Sequence, residues 1–148
     1  MKNLLTILVA IGLTATSTTS LISCEKSNNK NIPCEKQDNR NWKQQCSQNK
    51  PFNQVDNKYY FVVWHGLFKN EWKISMFNNN AEQIKISTIS TWLMKNFGDL
   101  QVGYGRSWKD WKNNDDIYFK SVYRWDGVDE PQTPEIDKNT GKITDWKE

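Results

Sequence analysis

The sequence is poor in the residues and patterns that would assign a chemistry directly. It has one histidine and three cysteines with no Cys-x-x-Cys pair, which argues against a zinc site of the usual spacing. Its formal net charge of +3 is too small to indicate a nucleic-acid partner. We therefore expect no metal, no cofactor and no nucleic acid.

A long hydrophobic run is also missing. The apolar run from Leu4 to Leu13 follows Lys2 and leads into a stretch of Thr, Ala and Ser. Because a membrane-spanning helix needs about 20 apolar residues, this run is too short to cross a bilayer. Its length and its preceding lysine are typical of a secretory signal peptide.

The signal peptide ends in a lipoprotein motif. Leu21, Ile22 and Ser23 precede Cys24, and bacteria lipidate and cleave at a cysteine that follows a small residue, with leucine three positions before it. A plain signal peptide would end in an Ala-x-Ala-like site instead. The motif predicts that residues 1–23 are removed and that acylated Cys24 holds the protein in membrane lipid, at the extracellular face.

Lipidation of Cys24 leaves two cysteines, Cys34 and Cys46. A location outside the membrane permits a disulfide between them, which would stabilise the fold by about 3 kcal/mol. The alternative is that both thiols stay free, and the sequence favours the bridge.

Composition divides the rest of the chain into three parts. Residues 24–57 are polar with few large apolar side chains, which predicts a disordered tether. Residues 58–126 contain sixteen of the nineteen aromatic residues and are the predicted folded domain. Residues 127–148 have six acidic residues against three lysines, and we expect an acidic, partly extended tail.

Within the predicted domain the apolar residues mostly alternate, which indicates strands. Residues 71–77 and 83–87 read as half-buried strands joined by a hairpin loop at 78–82. Residues 59–64 are apolar on both faces, which predicts a central strand. A further strand is expected over 116–125, with Ile117, Phe119, Tyr123 and Trp125 on one side.

One segment departs from this alternation. Ile89, Trp92, Leu93 and Phe97 recur at helical offsets, and Gly98 is placed to end a helix. We expect a helix over residues 90–97, a short strand over 100–104 and a helical turn from Ser107. The predicted fold class is α+β, an antiparallel sheet of four or five strands with one helix packed on it.

The tail contains one turn signal. Asp137 can bond the backbone of the turn that it opens, and Gly141 supplies a positive φ. Ile136 and Ile143 should therefore face each other across a hairpin.

Catalytic candidates are few. A catalytic role for His65 would need a carboxylate such as Asp115, Asp116 or Asp126 and a nucleophile such as Ser107, and no spacing in the sequence selects them. We predict a structural or solvent-facing histidine and no catalytic residue. A lipid-anchored hydrolase is the alternative.

The aromatic residues suggest a binding surface. Tyr104, Arg106, Trp108 and Trp111 lie in the least regular part of the predicted domain. Exposed, they would form a stacking surface for a sugar or a partner protein. The alternative is that these side chains plug the end of the sheet.

Two stretches resemble known proteins. The leader from Met1 to Cys24 resembles the leaders of spiroplasma lipoproteins, and the richness in Asn and Lys fits an AT-rich mollicute genome. The stretch from Tyr118 to Asp126 and the tail after it are similar to a domain of unknown function shared by spiroplasma plectroviruses and their hosts' lipoproteins. The resemblance implies a protein on the outer face of the cell membrane, and it supplies no catalytic residues.

These observations predict a membrane-anchored surface lipoprotein that acts as a binding, adhesion or coat module. An extracellular protein or a glycan would be its partner. The alternative is a prophage-derived surface protein that affects phage attachment. The sequence does not predict the oligomeric state.

Overall fold

The computed structural model describes residues 34, 36–68, 71–113 and 117–147, and over these residues the chain is built from β-strands. The predicted α+β fold is wrong, because the described residues contain ten strands, two short 3-10 turns and no α-helix. The strands are β1 (Trp42–Gln45), β2 (Tyr59–His65), β3 (Trp72–Asn78), β4 (Ile84–Ser87), β5 (Trp92–Asn96), β6 (Asp99–Tyr104), β7 (Ser107–Asp110), β8 (Phe119–Trp125), β9 (Glu135–Ile136) and β10 (Ile143–Asp145).

The strands form two four-stranded antiparallel sheets and a hairpin. The central sheet has the order β1-β8-β2-β3, the outer sheet has the order β4-β5-β6-β7, and β9 pairs with β10. Strands were correctly predicted at β2, β3, β4, β6 and β8. The predicted hairpin loop over 78–82 is wrong, since β3 and β4 lie in different sheets and this segment links the two.

The central sheet is covered on both faces, which gives two hydrophobic cores. Tyr60, Val62 and Trp64 of β2 pack toward Leu93, Leu100 and Val102 of the outer sheet. Phe61 and Val63 of the same strand pack against Trp42, Tyr123 and the tail hairpin. Burial on both sides explains why β2 is apolar along its whole length.

A bulge in β8 assigns its side chains to both cores. Val63 pairs with Ser121, but the next residue, Trp64, pairs with Phe119, so Lys120 is the extra residue. The prediction that Phe119 and Tyr123 share a face is therefore wrong. Phe119 lies in the core between the sheets, and Tyr123 lies in the core under the tail.

The predicted helix over residues 90–97 is strand β5. Leu93 and Lys95 are buried in this strand and Thr91 is buried just before it, whereas Trp92 is 40% exposed and Phe97, just after the strand, is 79% exposed. The buried set has a period of two, and its third member is a lysine. A pattern of apolar residues could not reveal this strand, because a buried lysine does not count as apolar. The helical turn expected from Ser107 is strand β7, followed by a 3-10 turn at Trp111–Asn113.

The predicted disorder does not extend over residues 36–57. Trp42 of β1 and Phe52 are almost completely buried, and β1 pairs with β8 in the central sheet. Cys34 and Cys46 form a disulfide, which holds the chain before β1 to the chain after it. The bridge restricts the unfolded chain and so stabilises the folded form of a segment that has few large apolar side chains.

The expected tail hairpin is present. Ile143 pairs with Ile136, Asp137 accepts hydrogen bonds from the backbone of Asn139 and Thr140 at 2.7 and 3.1 Å, and Gly141 has a φ of 70°. Trp146, after the hairpin, contacts the rings of Phe61 and Tyr123 with centroid distances of 6.2 and 5.1 Å. The tail therefore forms the third layer of the domain.

The lipoprotein signal lies outside the described residues, including Leu21, Ile22, Ser23 and Cys24. In the part of the chain that the structure covers, none of the helical segments is long and apolar enough to cross a bilayer.

Candidate binding surface

The outer sheet has one face in the core and one face in solvent. Successive residues of β6 show the alternation, because Leu100 and Val102 are buried in the core while Gln101 and Gly103 lie on the opposite face. The strand register aligns the solvent-facing residues of neighbouring strands into rows across the sheet.

One row is aromatic, and we call it the tryptophan shelf: Trp92, Gly103 and Trp108. Gly103 pairs with Trp92 on one side and with Trp108 on the other. The two indole rings meet edge to face with their centroids 6.4 Å apart. The ammonium group of Lys85 lies 5.5 Å from the centre of the Trp92 ring, a distance typical of a cation–π contact.

Gly103 is required for this arrangement. A Cβ atom at this position would lie 2.4 Å from two ring carbons of Trp108. The indole of Trp108 therefore lies directly on the backbone of β6, and its Nε1 donates to the carbonyl of Gly105 at 3.1 Å. Packing and this hydrogen bond fix the ring, which limits the conformational entropy that it would lose on binding a ligand.

A polar row crosses the same face beside the shelf. The amide of Gln83 donates to Asn96 at 2.9 Å, Asn96 donates to Gln101 at 3.0 Å, and Gln101 donates to Asp110 at 2.7 Å. These hydrogen bonds orient amide and carboxylate groups next to two indole rings. Flat aromatic surfaces flanked by oriented amides and carboxylates suit the apolar faces and hydroxyl groups of sugars.

Asp99 adds negative charge to this face. Its Oδ1 accepts from the backbone of Leu100 at 2.9 Å, whereas its Oδ2 is buried with no hydrogen-bond partner among the described residues. Burial raises the pKa of this carboxyl group, and the nearby charge of Asp110 raises it further.

The structure separates the four residues predicted to form a binding surface. Trp108 is half-buried on the shelf, but Trp111 is only 5% exposed and packs 5.9 Å from Phe52. Trp111 is a core residue, so the prediction was wrong for it. Tyr104 is 56% exposed and contacts the Phe68 ring instead of the shelf, and Arg106 is exposed in the turn between β6 and β7.

The sequence did not identify Trp92 as a surface residue. The helical spacing placed Trp92 in the core, whereas the strand places it opposite Gly103 in solvent. If residues 92–96 had been predicted as a strand, Trp92 would have been placed on the same face as Trp108. That strand was not predicted because Lys95, at a core-facing position, interrupts the alternation of apolar residues.

His65 has structural neighbours. Its ring packs edge to face on Trp72 at 4.7 Å and lies 5.2 Å from the ring of Tyr118, and its Nδ1 is 2.9 Å from the carbonyl oxygen of Gly66. Of the candidate partners, Asp115 and Asp116 lie outside the described residues. No cluster of three metal-ligating side chains occurs among the residues that are described.

The fold and the bridge between Cys34 and Cys46 define a small, disulfide-linked all-β domain. No solved structure matches it. Residues 13–148 match the Spiroplasma phage ORF1-like family, and the chain belongs to that family. The predicted similarity to spiroplasma phage proteins is thus confirmed, and it covers far more than the stretch from Tyr118 to Asp126 and the tail after it.

Two viral relatives show the extent of the similarity. The chain is 41% identical over 106 residues to the uncharacterized protein ORF1 of Spiroplasma virus SpV1-R8A2 B, which covers 71% of this chain and 12% of the relative. It is 41% identical over 63 residues to the uncharacterized protein ORF1 of Spiroplasma virus SpV1-C74, covering 32% of this chain and 9% of that relative. The chain therefore spans about one tenth of the length of these relatives.

Proposed function

We propose that this protein is a lipid-anchored surface lipoprotein whose β domain binds glycans through the tryptophan shelf. The observation that carries the proposal is the pair of indole rings, Trp92 and Trp108, held beside a row of oriented amides on a solvent-facing sheet. Large aromatic side chains on a free sheet face add nothing to the core, and such exposed patches commonly serve a partner.

The anchor in this proposal is Cys24. The leader and the Leu21-Ile22-Ser23-Cys24 motif support lipidation, and two acyl chains on one residue give stable membrane attachment. The domain would then be presented outside the cell.

Glycan binding can be tested with Trp92→Ala and Trp108→Ala variants on an array of oligosaccharides. Each substitution should weaken the affinity for any bound glycan by about fivefold to thirtyfold, since one lost stacking contact contributes about 1 to 2 kcal/mol. Tyr104→Ala is the matched control, because it removes an exposed aromatic side chain away from the shelf. Equal glycan binding by the wild type and both tryptophan variants would reject the proposal.

The anchor has a separate test. Cells grown with radiolabelled palmitate should label the wild-type protein, and Cys24→Ser should be unlabelled, uncleaved and absent from the detergent phase. Labelling of the Cys24→Ser protein would contradict the anchor without affecting the glycan proposal.

A second candidate function is an effect on phage attachment, favoured by the membership in a phage ORF1-like family. Spiroplasma cells that express the wild-type protein should adsorb Spiroplasma virus SpV1 at an altered rate, and cells that express Trp92→Ala/Trp108→Ala should not. Identical adsorption with and without the wild-type protein would exclude this role.

A further inference from the structure

A cleft of about 630 Å³ lies on a different part of the domain from the tryptophan shelf. Its walls come from the segment around Val55, from Glu82 before β4 and from the turn between β5 and β6. Lys95, on the core-facing side of β5, also lines it. The cleft therefore combines a cation, a carboxylate and apolar side chains.

The ammonium group of Lys95 is buried, and none of the described residues forms an ion pair with it. The residue is 1% exposed, and its Nζ donates to Oδ1 of Asn79 at 2.5 Å and to the carbonyl oxygen of Ala81 at 2.7 Å. Both acceptors are neutral, and no carboxylate among the described residues lies within ion-pair distance of Nζ. An ammonium group has three donors, so one remains for an anion.

A buried charge of this kind is costly unless a partner compensates it. Burial lowers the pKa of Lys95, while the charges of Asp56 and Glu82 oppose that shift. An acidic ligand group in the cleft would supply a negative charge in direct contact with the ammonium group, which none of the described carboxylates provides.

Phe97, which lines the cleft, is an unfavourable residue for the turn that it occupies. Phe97 and Gly98 form the two-residue turn between β5 and β6, with φ values of 45° and 84°. Asn-Gly is the preferred sequence for a turn with two positive φ values, and bulky residues rarely adopt this conformation. The Phe97 ring is nevertheless 79% exposed, so it stabilises neither the turn nor the core.

An exposed phenyl ring and a carboxylate on one cleft suit an organic cation. The face of an aromatic ring attracts a quaternary ammonium group, which has no N–H groups to satisfy. Glu82 provides the opposite charge from the same cleft. The cleft thus has a place for a cation near Phe97 and a place for an anion near Lys95.

We propose that this cleft binds a zwitterionic ligand of the phosphocholine type, with its acidic group on Lys95 and its ammonium group between Phe97 and Glu82. The site uses none of the residues of the tryptophan shelf. Its ligand chemistry is that of a free phosphocholine ester or of a lipid headgroup.

Isothermal titration calorimetry of the full chain tests the pairing of the two charges. Phosphocholine should bind at least tenfold more tightly than choline or inorganic phosphate, since each of these satisfies only one half of the cleft. Glu82→Gln should weaken phosphocholine binding about threefold to thirtyfold. Lys85→Gln is the matched control, because Lys85 lies on the opposite face of the sheet. This variant should bind phosphocholine with the affinity of the wild type.

Phe97→Asn separates binding from folding. Asparagine suits the turn better, so the Tm should rise by a few degrees while phosphocholine binding weakens. A Lys95→Met variant should also lose binding, and circular dichroism will show whether it folds; if it does not, Glu82→Gln and Phe97→Asn decide the result. Phosphocholine that binds no more tightly than choline and phosphate, or that binds equally to wild type, Glu82→Gln and Phe97→Asn, would overturn the proposal.

Vesicles distinguish the two sources of the ligand. Sedimentation with phosphatidylcholine vesicles beyond that seen with phosphatidylglycerol vesicles, and competed by phosphocholine, would identify a lipid headgroup. Binding of soluble phosphocholine without any preference between the vesicles would identify a free ester. The phosphatidylglycerol vesicles are the control, because they measure how much protein attaches through the N-terminal leader or its lipid rather than through the cleft.

Discussion

At the scale of single residues, the absence of a side chain at Gly103 determines the shape of the candidate binding surface. Gly103→Ala should lower the free energy of unfolding by about 1 to 3 kcal/mol, because the added methyl group would overlap the Trp108 ring. Chemical denaturation measures the change. In a Trp108→Ala background the same substitution should cost less but not become neutral, because the methyl group would still lie 2.6 Å from the carbonyl oxygen of Ser107. An undiminished cost there would show that the ring contact is not the cause.

Asp126 gives the domain a dependence on acid pH. Arg124 donates to this carboxylate at 2.8 and 2.9 Å and Lys58 donates at 2.8 Å, which lowers its pKa from 3.8 to about 2. A carboxyl group with a lowered folded-state pKa stabilises the fold above its unfolded pKa and loses that contribution as the pH falls through the folded value.

We therefore expect a loss of about 1 to 2 kcal/mol between pH 4 and pH 2 that is specific to Asp126, with the partial exposure of the group reducing the value. Urea denaturation across this range, compared with Asp126→Asn, isolates the effect. Parallel pH profiles of the two proteins would disprove this assignment.

At the scale of secondary-structure elements, the accuracy of sequence-based prediction depended on which side chains are buried. The alternation of large apolar residues revealed β3, and the apolar run revealed β2. Prediction from apolar residues failed at β5 because Lys95 occupies a core-facing position. It also failed at β1, because Trp42 is followed by lysine and two glutamines. Only one of the two tryptophans of the shelf was predicted to lie on a binding surface. Trp108 was recognised, but Trp92 was assigned to a helix because β5 was not predicted.

Strand β1 should depend on the disulfide. Cys34→Ser/Cys46→Ser should lower the free energy of unfolding by about 3 kcal/mol, and hydrogen exchange should show the largest loss of protection in β1, where Trp42 is packed against Phe61 and Trp125. Cys24→Ser keeps the bridge and serves as the control. Unchanged protection of the β1 amides in the double variant would show that sheet pairing alone holds this strand.

At the scale of the whole molecule, the tail is a structural layer rather than an appendage. Ile136, Ile143 and Trp146 cover Phe61 and Tyr123. A chain that ends at residue 130 should lose about 5 kcal/mol, since burial of each large apolar side chain contributes about 1.5 to 3 kcal/mol, and this is comparable to the total stability of many domains.

Thermal denaturation and size-exclusion chromatography of that truncated chain should show unfolding or aggregation near room temperature. A chain that ends at Trp146 keeps the covering residues and should behave as the intact protein does. A truncated chain with an unchanged Tm would show that the tail is dispensable.

The burial of β2 on both faces restricts how this family can vary. Each residue from Tyr60 to Trp64 is at most 1% exposed, and neighbours along the strand belong to different cores. An insertion of one residue would exchange the two sets of side chains, so both cores would have to be repacked at once. Length changes among relatives should therefore accumulate in the loops on either side of this strand, and the strand itself can serve as the fixed reference for aligning them.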